Sequence, residues 1–217
     1  KAAFFSVSQP NGGKFSFDVD TGYYTTTVQL FNPYYTVVPS LKVSNFTNYF
    51  NVDSFGFAIQ SIPNKQDLIV HLIPTTPARP GFKAYYALNY KNIGTTTIPT
   101  GSVKLIKDSR TTLSLSLPLP TSIIADTITW NYTNLQPLNS ITIGIEMNIA
   151  TPPTVNINDT LKYTAVVLPV AGDLTPADDT SRLKQRVVGS YDPNDKQESF
   201  AGRMAMKDVT NGSYINY

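Results

Sequence analysis

Between residues 66 and 191 the chain alternates apolar and polar positions in short runs that are separated by turn residues. Alternation with a period of two places the apolar side chains on one face of a β-strand, and clusters of Gly, Pro, Asn and Asp end each run. The candidate strands are residues 67–73, 82–92, 102–106, 111–117, 124–132, 140–149, 160–168 and 183–191. Short strands at this regular spacing predict an antiparallel β-sandwich.

The segment before this sandwich has a similar pattern but shorter runs. Its candidate strands are residues 2–7, 14–19, 23–31, 41–43, 47–50 and 55–59. Turn residues separate them, as in the Gly-Gly pair at 12–13 and the Asp-Thr-Gly turn at 20–22. We therefore expect residues 1–62 to form a small β module, with residues 63–65 as a linker. Helical patterning is confined to residues 156–161 and 201–208, each long enough for only a turn or two.

The C-terminal end of the chain indicates a further module. The strand predicted at 183–191 runs into an Asp-Pro-Asn-Asp turn at 192–195, and residues 214–217 have the pattern of another strand. The Leu-Asn-Tyr triplet at 88–90 is repeated as Ile-Asn-Tyr at 215–217, which suggests repeated domains. The predicted fold class is all-β, with tandem antiparallel sandwiches of the Ig-like or fibronectin-like type. Residues 66–191 would form one sandwich, and residues 192–217 the junction and the start of the next.

Composition and charge narrow the range of partners. Of 217 residues, 41% are hydrophobic and 15% are charged, and the net charge of +2 is spread without a basic block. Such a chain can form a core but offers no electrostatic footprint for nucleic acid. No apolar run is long enough to cross a membrane, so membrane insertion is not expected. The chain has no cysteine, which excludes disulfides and thiolate metal sites, and its polar composition with 13 Tyr favours an extracellular location.

Four motifs resemble those of a known family. They are RPGF at 79–82, YALNYKNIG at 86–94, GDLTPADD at 172–179 and GSYDPNDK at 189–196. Together they resemble the Ig-like repeat domains of large secreted and cell-surface proteins of Bacteroidota. The resemblance implies that the DPNDK segment closes one sandwich and opens the next, and that the parent protein is exported by the type IX secretion route.

The first module is similar to the prealbumin-like modules that precede such repeats. The similarity rests on the segments 20–23 and 52–57, DTGY and VDSFGF. It implies further strands before Lys1, so we expect this module to be incomplete and the chain to be part of a longer secreted or cell-surface protein.

Two acidic segments supply candidate metal ligands. Ca²⁺ takes about six to eight oxygen ligands, which carboxylates and amides provide, and the two segments can fold against the same end of the sandwich. The candidates are Asp192, Asn194 and Asp195 in the turn, and Asp173, Asp178 and Asp179 in the preceding loop. The Asp-Pro-Asn-Asp order is equally that of a type I turn, so a structural turn without calcium remains an alternative.

Aromatic residues offer a second kind of site. Trp130 alternates with Ile128 and Tyr132 within one strand, which predicts that it fills the space between the sheets. Stacking of polysaccharide on aromatic rings would instead use exposed tyrosines. The candidates are Tyr34, Tyr35, Tyr85 and Tyr86. Because neighbouring strand residues face opposite ways, each pair favours one core ring and one surface ring over a shared platform.

Catalytic signatures are missing from the sequence. His71 is the only histidine, and neither a Gly-x-Ser-x-Gly elbow, a phosphate-binding glycine loop nor an HExxH helix occurs. A single imidazole without cysteine cannot form a zinc site alone. We therefore expect that the protein is not an enzyme and that His71 is an ordinary strand residue.

The family resemblance also implies O-glycosylation at Asp-Thr followed by an aliphatic residue. Thr127 and Thr160 lie in such triplets, with Thr160 preferred because it lies at a loop edge. The Asn-x-Ser/Thr sequons at Asn45, Asn131, Asn158 and Asn211 arise easily by chance in a Thr-rich chain.

Two functions follow as hypotheses. The first is a structural or adhesive module in an extracellular stalk or filament, whose partners are neighbouring modules of the same or another chain. The alternative is an accessory module of a secreted hydrolase that binds polysaccharide or glycoprotein through the tyrosines. A third arrangement would pair the open strand edge near Tyr217 with another chain.

Overall fold

The computed structural model describes residues 13–189. These residues form thirteen β-strands and no helix, which confirms the predicted all-β fold class. The strands are β1 (Gly22–Thr26), β2 (Tyr35–Val38), β3 (Lys42–Phe46), β4 (Ala58–Ser61), β5 (Leu68–Pro74), β6 (Lys83–Asn92), β7 (Ile98–Ile106), β8 (Thr111–Leu117), β9 (Ser122–Ile124), β10 (Thr127–Leu135), β11 (Ser140–Ile149), β12 (Thr160–Leu168) and β13 (Thr180–Arg186).

Strands β5 to β13 form a sandwich of two antiparallel sheets. One sheet has the order β13-β12-β7-β10-β9 and the other has the order β5-β6-β11-β8. The alternation of the sequence defines the inner faces: in β6, Ala84, Tyr86, Leu88 and Tyr90 are buried while the intervening residues are more exposed. Apolar residues of both sheets then share one core.

Trp130 lies in this core, as predicted. Its side chain is 3% exposed, and the indole Nε1 donates a hydrogen bond to the carbonyl of Pro118 at 3.1 Å. A buried indole needs such an acceptor because an unpaired N–H in an apolar core is costly. The core position removes Trp130 from any sugar-binding surface.

Several strand limits differ from the expected ones. The predicted strand 124–132 is two strands, β9 and β10, because Ala125 adopts a left-handed conformation (φ 50°) at a tight turn. The last strand of the sandwich spans Thr180–Arg186 and not 183–191, and Val187 forms an isolated parallel bridge with Ala78. The helical leaning of residues 156–161 is wrong: Asn158 is left-handed (φ 77°) there.

The segment before the sandwich contains two separate two-stranded sheets, β1-β3 and β2-β4. The expected strand at 14–19 is not formed. Phe15 instead packs against Phe17, Phe55 and Phe57, with distances between ring centroids of 5.7–6.3 Å. The alternation therefore reports an aromatic cluster and not a sheet face. The division into domains stays a prediction, and its third part, residues 192–217, lies outside the described residues.

Asp108 links the turn before β8 to strand β12 by hydrogen bonds. Its carboxylate accepts hydrogen bonds from Arg110 Nε at 2.9 Å and from the backbone N–H of Lys162 at 3.0 Å, and Arg110 also reaches Asp159 at 3.2 Å. Burial would raise the pKa of Asp108, but the hydrogen bonds from Arg110 and Lys162 outweigh it and hold the pKa below its ordinary value.

Replacing Asp108 by Asn should destabilise the protein by about 1–3 kcal/mol at neutral pH, because charge-assisted hydrogen bonds are lost. The folded-state pKa lies below the unfolded one, so the contribution of Asp108 is present above the unfolded pKa and disappears as pH falls through the folded pKa. The difference in denaturant midpoint between wild type and variant should therefore shrink in acid. Asp126→Asn is the control. It breaks the ion pair between Asp126 and Lys107, but the Asp126 side chain is 45% exposed, so the loss of stability should be small. A difference that is constant from neutral to acidic pH would contradict the assignment.

Candidate metal centre

The candidate site forms where the linker enters the sandwich. Asp67 is the last residue before β5, and its backbone carbonyl accepts hydrogen bonds from the N–H groups of Ile93 at 2.9 Å and Gly94 at 3.1 Å. These bonds hold the residue against the turn that follows β6. Its side chain is 1% exposed.

The loop between β12 and β13 brings three more aspartates to the same place. Asp173 connects this loop to β5, because its two carboxylate oxygens accept the N–H of Leu68 at 2.7 Å and the N–H of Thr175 at 2.8 Å. The backbone carbonyl of Asp178 accepts the N–H of Val70 in β5 at 3.1 Å. The loop therefore lies against an edge strand of the opposite sheet.

Asp179 completes the group from between the sheets. Its backbone carbonyl accepts the N–H of Val167 in β12 at 3.0 Å, and its side chain is 0% exposed. Because Asp178 bonds to β5 and Asp179 to β12, this dipeptide spans the gap between the two sheets. We refer to Asp67, Asp173, Asp178 and Asp179 as the acidic cluster.

The carboxylates of the acidic cluster are close enough to share an ion. One carboxylate oxygen from each of Asp67, Asp173 and Asp178 lies within 4.8 Å of the other two. Oxygens bound to one calcium ion at about 2.3–2.6 Å can be at most about 5 Å apart, so the spacing fits. These residues are able to hold a metal ion.

Several oxygens of the acidic cluster are buried without a partner. Asp67 Oδ1, Asp178 Oδ1 and both carboxylate oxygens of Asp179 accept no hydrogen bond within the described residues. None of the ion pairs seen among residues 13–189 includes a member of the cluster. A buried carboxylate without a partner is costly, so the cluster must take up protons or a cation.

The pKa values of Asp173, Asp178 and Asp179 are all raised, which also indicates that the cluster takes up protons or a cation. Burial raises the pKa of Asp179 to about 7, and the charges of Asp173, Asp178 and Asp67 add to the shift. Burial likewise raises the pKa of Asp173 and of Asp178. A bound divalent cation would reverse this effect, because it favours the ionised form of each carboxylate around it.

The structure brings some of the predicted metal ligands together and adds one residue that the sequence did not predict. Asp173, Asp178 and Asp179 come together as expected. Asp192, Asn194 and Asp195 lie outside the described residues, so their part in the site stays a prediction. Asp67 was missed, although its position directly after the linker and before an apolar strand was the signal that could have indicated it.

The tyrosines proposed for polysaccharide binding lie in different environments. Tyr85 is 43% exposed, whereas Tyr86 is 3% exposed and its hydroxyl donates to Gln185 Oε1 at 2.6 Å. The ring of Tyr86 is therefore not available for stacking, because it fills the core of the sandwich. Tyr34 is partly buried and donates its hydroxyl hydrogen to Asp67 Oδ2, while Tyr35 is partly buried in β2.

The remaining candidate residues lie apart from the acidic cluster or at its rim. Thr160 is exposed at the start of β12, and Thr127 is partly buried at the start of β10, so glycosylation of either stays a prediction. His71 is an exposed residue of β5, near enough to Asp178 to favour the ionised form of that carboxylate. The described residues include no helix with the length and apolar character needed to span a membrane.

Comparisons with known proteins give only distant similarities. No model of a protein family matches the chain, and no curated protein matches it. The CARDB domain of the PF1109 protein from Pyrococcus furiosus, solved in complex with di-metal ions, is 15% identical, with a TM-score of 0.42 over 57% of this chain and 90% of that one. The seventh ScaB type I cohesin from Pseudobacteroides cellulosolvens is 10% identical, with a TM-score of 0.41 over 61% of this chain and 98% of that one. BcpA*(D312A), the major pilin subunit of Bacillus cereus, is 9% identical, with a TM-score of 0.39 over 79% of this chain and 56% of that one. These similarities are too distant to assign an activity or a partner.

Proposed function

We propose that this chain is a non-catalytic structural module of a large secreted or cell-surface protein, and that a calcium ion in the acidic cluster holds its sandwich and linker in one arrangement. The observation that carries the proposal is the group of buried, unpartnered carboxylate oxygens of Asp67, Asp178 and Asp179 at the linker. A divalent cation balances two of these negative charges, and it joins the start of β5 to the loop before β13.

Calcium is the ion that fits this chemistry best. All the donors of the cluster are hard carboxylate oxygens, held on a loop and a linker and not in a rigid octahedron, and Ca²⁺ accepts such irregular oxygen sets. Magnesium demands near-octahedral geometry and retains water, so it should bind more weakly. Calcium sites of extracellular modules have dissociation constants of about 0.1–1 mM, which is the range we expect here.

The acidic cluster supports a structural role over a catalytic one. It contains carboxylates alone, and its neighbours Tyr34 and Thr175 hold Asp67 by hydrogen bonds. A nucleophile activated by a base is not part of this arrangement. The proposal also includes an origin in Bacteroidota and export to the cell exterior by the type IX route. The support for this part is the family resemblance of the motifs at 172–179 and 189–196. The expected partners are neighbouring modules of the same or another chain.

Thermal unfolding of the chain in calcium and in a chelator tests the proposal. At calcium concentrations about tenfold above the dissociation constant, binding adds about 1.4 kcal/mol, which should raise the midpoint by roughly 3–6 °C for a protein of this size. Magnesium at the same concentration should raise it less. Equal midpoints in calcium and in chelator would contradict the proposed role.

A further inference from the structure

The first β module, defined as residues 13–62 with β1 to β4, meets the sandwich beside the acidic cluster. The hydroxyl of Tyr34 donates to Asp67 Oδ2, and Asn32 Nδ2 donates to the carbonyl of Ile93 at 2.7 Å. The turn that contains Ile93 is the one that holds the backbone carbonyl of Asp67. The acidic cluster and the contact between the first β module and the sandwich therefore share Asp67 and the turn beside it.

Asp67 has two separate tasks in this arrangement. Its Oδ2 accepts the Tyr34 hydroxyl and the hydroxyl of Thr175 at 3.1 Å, while its Oδ1 is buried without a partner. One of the two Asp67 oxygens lies within 4.8 Å of carboxylate oxygens of Asp173 and Asp178. One oxygen thus binds the first β module, and the other is available to a cation.

The rest of this contact includes a hydrogen bond from the Thr95 hydroxyl to the carbonyl of Ile62 at 2.6 Å and an incompletely packed apolar region. An apolar hollow of about 240 Å³ lies between the two parts, lined by Leu30, Phe31, Tyr35, Ile59 and Leu138. The hollow is not filled by a side chain, and Phe31 at its rim is 95% exposed. The apolar residues around this hollow therefore remain partly in contact with water, and interfaces between modules commonly allow relative motion.

We infer that cation binding in the acidic cluster and docking of the first β module onto the sandwich are coupled through Asp67, with Tyr34 as the positioning residue. The inference rests on the proposed calcium site. A cation at Oδ1 stabilises the ionised carboxylate in the orientation that also presents Oδ2 to Tyr34. Without it, repulsion from Asp173 and Asp178 favours movement of Asp67 and of the linker attached to it.

Coupling of this kind is reciprocal. If calcium strengthens docking by a given factor, then docking strengthens calcium binding by the same factor. Removal of the Tyr34 hydroxyl should therefore weaken calcium binding, even though Tyr34 is not one of the carboxylates that would hold the ion. A residue that contributes neither to docking nor to the acidic cluster would not change the affinity for calcium.

Calcium titration calorimetry on two matched variants of the full chain tests this. Tyr34→Phe should lower the affinity for calcium about tenfold, the factor that a hydrogen bond to a charged group contributes. Tyr35→Phe is the control: it makes the same change one residue away, on a hydroxyl that forms no hydrogen bond among residues 13–189. Equal affinity of the two variants would overturn the inference.

Distance measurement between spin labels tests the docking directly. The chain has no cysteine, so Gln60→Cys in β4 and Thr133→Cys in β10, both at exposed positions, allow specific labelling. We expect a narrow distance distribution in calcium and a broad one in chelator, and a broad one under both conditions when Tyr34→Phe is added. An unchanged distribution together with normal calcium binding would refute the coupling and leave the proposed function intact. A complete lack of calcium binding would refute the proposed function itself.

Discussion

Replacing Gly94 by Ala is expected to cost the protein about 3 kcal/mol or more of unfolding free energy and most of its affinity for calcium. A Cβ atom on Gly94 would lie 2.4 Å from the carbonyl oxygen of Lys65 and 2.8 Å from the backbone nitrogen of Asp67. Both neighbours are backbone atoms, so the linker itself must move. That movement displaces Asp67 from Asp173 and Asp178 and separates the oxygens that would share the ion.

Gly144→Ala is the matched control for this experiment. A Cβ on Gly144, in the middle of β11, has the carbonyl oxygen of Leu117 as its nearest neighbour at 4.0 Å, so the methyl group meets no obstacle. Its unfolding free energy should stay within about 0.5 kcal/mol of wild type, with unchanged calcium affinity. Denaturant unfolding and calcium titration of the two variants provide the comparison. If Gly94→Ala behaved like Gly144→Ala, the close contact between linker and turn would be wrong.

Replacing Asp178 by Asn is expected to change stability in opposite directions with and without calcium. Burial and the charges of Asp67 and Asp173 raise the pKa of Asp178, so its ionised form is disfavoured in the folded state. Since the folded-state pKa exceeds the unfolded one, ionisation of Asp178 costs stability as pH rises above the unfolded pKa. In chelator above neutral pH, Asn removes this charge and should raise the unfolding midpoint.

In calcium the same substitution removes a ligand carboxylate. The affinity should fall at least tenfold, and the midpoint should drop below that of wild type. Asp18→Asn, at an exposed position of the first β module, is the isosteric control and should alter neither midpoint. Thermal unfolding of the three proteins under both conditions provides the test. A variant that was less stable than wild type in chelator as well would show that Asp178 is an ordinary structural carboxylate.

The sandwich was predictable because each of its long strands has one buried face. Three predicted ranges, 111–117, 140–149 and 160–168, match β8, β11 and β12 to the residue. In β12, for example, Leu161, Tyr163, Ala165 and Val167 are buried in alternation with more exposed residues. A periodic core contact of this kind is visible in the sequence itself.

The first β module was less predictable because its strands do not bury one face against a core. In β4 all of the residues are exposed, and in β1 and β2 the alternating residues are only partly buried. Aromatic residues at alternate positions then indicate either a strand or a cluster of rings, and the Phe15 and Phe17 pattern belongs to the second. Local pattern cannot distinguish the two.

Three of the four residues of the acidic cluster were predicted from the sequence, and Asp67 was not. The density of aspartates between 172 and 179 indicated a candidate site, and three members of the cluster come from that loop. The contribution of β5 and its flank was hidden, because the bond from the N–H of Leu68 to Asp173 joins residues 105 positions apart. Only the packing of one edge strand against the loop of the other sheet brings Asp67 to the cluster. The same reason hid Tyr34, which lies 33 positions from Asp67 in the sequence.

A crystal structure of the chain grown in calcium is the most direct test of the account. It should contain one calcium ion bound by carboxylate oxygens of Asp67, Asp173 and Asp178 at about 2.3–2.6 Å, with the Tyr34 hydroxyl still donating to Asp67. Soaking in a lanthanide, which takes the place of calcium, and recording anomalous scattering distinguish a metal site from ordered water. Ordered water at the cluster, or an anomalous peak only elsewhere in the chain, would contradict the central claim.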